Sequence, residues 1–168
     1  HYDAFPADCW TKDEYAFAWQ GMSLIQDKTP KSWSYLPSYP GNKEGNYHWM
    51  SCRNKDFAVV SPFLDHPPLF GLIVGASSLL GGQRSFCECT LKFMRLPSLF
   101  FGVTSILLLY LLAKRLWGRS VAVISSLVFA TDPNLVYLSR LAVSENFILW
   151  LSLIMLLAYS QYNKSPKA

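Results

Sequence analysis

The sequence predicts an all-α integral membrane protein: a bundle of apolar spans behind a large extracytoplasmic loop that carries interfacial helices. Three observations predict it. Hydrophobic residues make up 51% of the 168 residues and charged residues only 15%, against roughly 25% charged in an ordinary soluble domain. Three nearly uncharged runs follow one another in the second half, Leu96–Ala113, Ser120–Ser139 (broken by Asp132) and Asn146–Asn163. Each has about the length that crosses roughly 30 Å of hydrocarbon at about 1.5 Å per residue. Finally, the charges are segregated, with nothing acidic between Glu88 and Asp132 and only Glu145 beyond.

This composition excludes a disordered chain, which needs low hydrophobicity and high charge. A net charge of +4 is too mild to imply a nucleic-acid partner. Four Cys are too few for a disulfide-dense scaffold. In an oxidising compartment Cys9, Cys52, Cys87 and Cys89 could pair, but the connectivity is not readable. Cys87-Glu88-Cys89 lacks the second half of a zinc pattern. No metal site is assigned, and there is no Gly-rich phosphate loop, Ser-His-Asp arrangement or His-Glu-x-x-His motif.

Taken in order, residues 1–94 form the extracytoplasmic loop. Its first helix is expected over 12–26, with Thr11 as cap and Glu14 as capping-box partner. Tyr15, Ala18, Trp19, Met22 and Ile25 give it one apolar face. Turn signals lie at Thr29-Pro30, Tyr39-Pro40-Gly41-Asn42 and Glu44-Gly45-Asn46. The aromatic residues Trp10, Trp19, Trp33, Tyr35, Tyr39, Tyr47 and Trp49 suit a membrane–water interface; the core of a small soluble domain is the alternative. A second helix is expected over 66–81, started by Pro67 and Pro68 in its first turn. Its apolar run falls short of the roughly 20 residues of a span, so it is read as interfacial, with a short span as the alternative.

Three transmembrane helices are then expected over 95–114, 119–138 and 145–162, followed by a cytoplasmic end at 164–168. The short loop holding Lys114, Arg115 and Arg119 is purely basic, which places it in the cytoplasm by the positive-inside rule. Lys164 and Lys167 fall on the same side, and the segment from Arg140 to Glu145 falls outside. An exported loop that begins at His1 needs something to export it, so a further span is expected upstream and more downstream.

Several polar residues on the outer side are candidates for chemistry. Asp13 and Glu14 open the first helix, where acids suit the helix dipole and where a carboxylate near the bilayer could accept a proton from a hydroxyl. Arg140 and Glu145 lie between two spans, where ionisable residues usually have a partner or a function; an Arg140–Glu145 ion pair is the plain alternative. In Asp65-His66-Pro67-Pro68-Leu69 the prolines hold the backbone extended, so a stiff turn presents His66. Arg84, Lys92, Arg95 and Arg140 could meet a phosphate or anchor the chain by snorkelling.

In order along the chain, Asp13-Glu14-Tyr15, Asp65-His66-Pro67-Pro68-Leu69, Arg95-Leu96-Pro97-Ser98, Leu112 to Arg119 and Ser139-Arg140-Leu141 before an acid resemble the glycosyltransferase C (GT-C) superfamily. Within it they resemble the protein O-mannosyltransferase and aminoarabinose-transferase-like branch, the dolichyl-phosphate-mannose–protein mannosyltransferase type. The resemblance implies a GT-C-like helical bundle, of which this chain is a fragment from the first extracytoplasmic loop to the fourth span, inactive alone. It implies an inverting membrane glycosyltransferase that moves a sugar from a polyprenyl-phosphate donor to an acceptor hydroxyl on a protein or lipid. Asp13 and Glu14 match the family's acidic pair, with the aspartate as acid–base residue. Glu145 stands where the family commonly has a second acid, usually Asp. His66, Arg95 and Arg140 would face the phosphate. No cofactor is assigned; a divalent cation bridging Asp13 and Glu145, with the carboxylates within roughly 15 Å, is left open. The alternative reading is a non-catalytic membrane transport or lipid-binding protein.

Overall fold

The computed structural model describes residues 12–34, 48–52 and 55–162. The Thr11 cap, Cys9, Trp10, Tyr35, the turns at 39–46, Tyr47 and the tail with Lys164 and Lys167 lie outside these residues. The chain divides into two compact units, residues 1–97 and 98–168.

The first unit opens with helix α1, Lys12–Asp27. It was expected to show one apolar face to a membrane surface. Instead it is buried almost all round from Glu14 to Ser23, with only Tyr15 partly exposed. Strands β1 (Ser32–Trp33), β2 (His48–Cys52) and β3 (Lys55–Val60) form an antiparallel sheet in the order β1–β3–β2. This sheet departs from the all-α expectation. Trp19 stacks on Phe86 with ring centroids 4.4 Å apart, and Trp33 lies 5.1 Å from Phe57. Trp19 and Trp33 are thus parts of an aromatic cluster with Phe57 and Phe86. A disulfide joins Cys52 at the end of β2 to Cys87 in a 3-10 turn, Phe86–Glu88, and closes a 35-residue separation. Cross-links of this kind stabilise by about 2–4 kcal/mol.

Helix α2 runs from Pro68 to Leu80 with proline in its first turn, as the two prolines predict. It packs on α1 through glycines. A Cβ at Gly21 would overlap the Gly71 carbonyl, and one at Gly75 would overlap the backbone at Gly21 and Met22. The Gly71-x-x-x-Gly75 spacing lets the two backbones touch, as in close-packed apolar helix pairs.

Helix α3, Leu91–Trp117, is 27 residues long and contains Pro97; it begins earlier and ends later than the expected span. Proline lacks the N–H that would bond the carbonyl four residues back, here that of Phe93. The Ser77 hydroxyl of α2 donates to that carbonyl at 2.7 Å. The helix therefore passes through its proline with the orphaned acceptor satisfied. Among the described residues α3 is the one helix long and apolar enough to cross a membrane by itself.

In the second unit, helix α4 (Arg119–Thr131) and helix α5 (Pro133–Ser139) meet at a bend of 65° and reach span length only together. A single span over 119–138 was expected. Asp132 breaks it: its residue is extended before Pro133, and its Oδ1 accepts from the backbone N–H of Asn134 and Leu135 at 2.9 and 3.0 Å, capping α5. Helix α6, Ser144–Tyr162, is close to the third expected span. Ser144, Glu145, Asn146, Gln161 and Tyr162 make its ends polar, so its apolar stretch is shorter than a span. Phe101 of α3 contacts both Phe147 and Trp150 of α6, each at 5.1 Å. Many outward side chains of this unit are apolar, among them Val103, Leu107, Ile124, Leu127, Val128, Met155 and Leu156.

Candidate active site

Helix α1 directs three groups of side chains to three neighbours. Tyr15 and Trp19 enter the aromatic cluster. Phe17, Gln20 and Gly21 face α2 and the turn before it. Glu14 meets Arg95 of α3, whose Nε donates to Oε1 at 2.8 Å and whose Nη2 donates to Oε2 at 2.9 Å. Both side chains have no exposed surface. A two-pronged guanidinium–carboxylate pair is among the stronger charge-assisted contacts, and burial makes each charge depend on the other.

The two adjacent acids therefore sit in different environments. Glu14 is inside and neutralised by Arg95; Asp13, one residue earlier in the first turn of α1, is exposed. Among the described residues Asp13 forms no ion pair. Arg95, expected at a phosphate, lies in the interior of the first unit on Glu14.

His66 sits between aromatic rings. Its imidazole stacks on Phe17 with centroids 4.9 Å apart and planes 27° apart, and Phe63 lies edge-on at 6.0 Å. The fully buried Gln20 donates from Nε2 to the His66 carbonyl at 2.9 Å. A Cβ at Gly71 would press on Gln20 Oε1 at 2.5 Å and on the Phe17 carbonyl at 3.3 Å, so glycine is what lets α1 approach here. Asp13, Phe17 and Gln20 are spaced four and three residues apart and share one side of the helix. The ring stacked on Phe17 is thereby on the Asp13 side of α1, about one 5.4 Å turn further along. The structure brings Asp13 and His66 to one side of one helix. Neither Phe17 nor Gln20 stood out in the sequence; their spacing from Asp13 is the signal that could have found them.

Arg140 ends α5 and is half-buried, and Glu145 lies exposed in the first turn of α6. Among the described residues Glu145 forms no ion pair. The adjoining Asn146 is buried, and among the described residues its Nδ2 has no partner. Arg84 and Lys92 are exposed. The Arg84 backbone N–H donates to Glu88 Oε2 at 2.8 Å, and this bond holds the Glu88 carboxyl below its ordinary range. Among the described residues no three His, Cys, Asp or Glu side chains form a group that could hold a metal ion.

Comparisons with known proteins add the family. No curated protein and no solved structure matches the chain. A family model for dolichyl-phosphate-mannose-protein mannosyltransferase matches residues 65–167, which include His66, Arg95, Arg140 and Glu145 and leave Asp13 and Glu14 outside. The match takes in more than half of the sequence, and with it the turn that presents His66, all of α2 to α6 and the buried partner of Glu14: the chain belongs to the dolichyl-phosphate-mannose-protein mannosyltransferase family.

Proposed function

We propose that this chain carries the acid–base side of a membrane mannosyltransferase that moves mannose from a dolichyl-phosphate donor to a hydroxyl of a protein acceptor. The observation that carries the reading is the division between the two acids: Glu14 is buried on Arg95 and Asp13 is exposed beside it.

In this reading Asp13 is the base. The acceptor hydroxyl oxygen attacks C1 of the sugar, its proton passes to the Asp13 carboxylate, and the C1–O bond to the lipid phosphate breaks with its electron pair leaving on the phosphate. One displacement inverts the anomeric centre. A phosphate needs no proton to leave, so a single base is enough. Glu14 and Arg95 anchor the first turn of α1 to α3 and so hold Asp13 in place. His66 supplies a hydrogen-bond donor to the phosphate. Arg140 at the end of α5 and Glu145 in the first turn of α6 are the second unit's own candidates, a cation and an acid. A divalent cation is not required by these steps.

The reaction is proposed on the extracytoplasmic side. The basic segment Lys114-Arg115 and Arg119 supports that orientation. So does the Cys52–Cys87 disulfide, since such bonds persist in oxidising compartments. The apolar outer surface of α3, α4 and α6 supports lipid around the second unit.

The test uses full-length protein in membranes, dolichyl-phosphate-mannose and a serine- or threonine-containing peptide. The expected product is a mannosyl peptide with the anomeric configuration opposite to the donor's. A product that retains the donor's configuration would require a covalent intermediate and would overturn the single-displacement reading.

A further inference from the structure

We infer that Phe17 and Gln20 are positioning residues for His66: they fix its imidazole on the Asp13 side of α1, so that one helix carries the base and sets the donor's phosphate against it. The inference rests on the mannosyl-transfer reading above and adds two residues to it.

Gln20 is the first reason. It has no exposed surface, and its polar amide is buried beside Phe17 and Phe70. Burying an amide is unfavourable unless it is hydrogen-bonded. Its Nε2 is bonded, and the partner is the backbone carbonyl of His66, 46 residues away. The carbonyl also fixes which way the amide faces, since the opposite orientation would set two acceptors against each other. Among the described residues the Gln20 Oε1 atom has no partner.

Phe17 is the second reason. Its ring covers one face of the imidazole, and Phe70 in turn backs Phe17 edge-on at 5.0 Å. Phe63 closes on the imidazole edge-on from the loop side. With one face against a ring, the imidazole directs its nitrogens along its own plane, and the residue as a whole is half-buried. Pro67 and Pro68 stiffen the chain immediately after it. The side chain is thus fixed by stacking and the backbone by a hydrogen bond, both from α1. The direction of a donor matters here: in an oriented site a misplacement of about 1 Å can cost about a hundredfold in rate.

The experiment measures donor and peptide kinetics separately for Gln20→Met, Phe17→Leu and Phe17→Tyr in the full-length membrane protein, with dolichyl-phosphate-mannose as donor. Gln20→Met keeps the volume and removes the amide; Phe17→Leu keeps the apolar bulk and removes the ring. Each is expected to raise the donor KM about tenfold, the equivalent of one misplaced hydrogen bond, with the peptide KM unchanged. Phe17→Tyr, which keeps the aromatic face, is expected to recover most of the loss seen with Phe17→Leu. In a His66→Ala background Gln20→Met is expected to add nothing, because the group it positions is gone; a merely structural residue would cost the same in both backgrounds. An unchanged donor KM in Gln20→Met and Phe17→Leu, or an equal cost with and without His66, would overturn the inference. Asp13→Ala in the same assay separates the two ideas. If it is inactive while both α1 variants keep wild-type donor KM, only the positioning role fails; if it turns over like wild type, the base reading itself fails.

Discussion

Removing one partner of the Glu14–Arg95 pair should destabilise the first unit more than removing both. The pair has two hydrogen bonds of 2.8 and 2.9 Å and no exposed surface on either side chain. Arg95→Met would leave the Glu14 carboxylate buried without this guanidinium, a loss of about 3–5 kcal/mol in comparable buried pairs. Against a typical total of about 5–15 kcal/mol, that is a large share. The double variant Glu14→Leu/Arg95→Met removes both charges and replaces them with apolar groups of similar reach. It should recover most of the loss, because desolvation of the two ions no longer has to be offset. Thermal unfolding of the four proteins in detergent gives the coupling by a double-mutant cycle. A single Arg95→Met change of less than about 1 kcal/mol, the range of an exposed pair, would refute the argument. So would a double variant as unstable as the two singles added together.

Three further outcomes follow from local geometry. Ser77→Ala should cost about 1–3 kcal/mol by orphaning the Phe93 carbonyl, and the cost should largely vanish in Pro97→Ala, where residue 97 regains the N–H that bonds it; equal costs in both backgrounds, read by thermal unfolding, would contradict this. The lowered pKa of Glu88 means that its contribution to stability is present above the ordinary carboxylate range and is lost as pH falls through the folded value. Glu88→Gln should therefore be less stable than wild type at neutral pH, and the difference should close on acidification; a gap that persists at low pH would show that the charge is not involved. A membrane-impermeant thiol reagent should modify Arg84→Cys from outside and leave Arg119→Cys unmodified, both positions being exposed; Arg119 serves better than Gly118, whose φ of 93° disfavours a side chain. External labelling of Arg119→Cys would reverse the orientation.

The helices were legible because their signals are local. Pro67-Pro68 starts α2, the long uncharged run gives α3, and the acids of the first turn mark α1. The Asp132-Pro133 break is visible in the sequence as an interruption, but the apolar run on both sides carries one expected span across it. Apolar periodicity does not show that a residue held extended before proline, with its carboxylate capping the next turn, bends the path. The sheet escaped for another reason. Ala58 and Val60 are buried, and Phe57 and Val59 pack on the aromatic cluster. With both faces of β3 covered, no polar–apolar alternation is left to read. The aromatic residues that pack between α1 and the sheet have the same composition as an interfacial belt, and only the fold distinguishes the two uses. At the site, the residue types were legible and their pairings were not. The Arg95 guanidinium could serve a phosphate or a carboxylate, and only a contact with a residue 81 positions away decides what it holds. The partners of His66 were hidden similarly, because Phe17 and Gln20 read as ordinary helix residues until the turn from residue 65 packs on them.

In the proposed mechanism the exposed Asp13 accepts the proton in mannosyl transfer and the buried Glu14 does not. The most direct measurement is the single-turnover rate of Asp13→Asn, with dolichyl-phosphate-mannose pre-bound and a hydroxyl peptide added. Loss of a general base predicts a fall of about 10²–10⁴-fold, with donor binding and the unfolding temperature unchanged. A single-turnover rate equal to that of wild type would contradict the account.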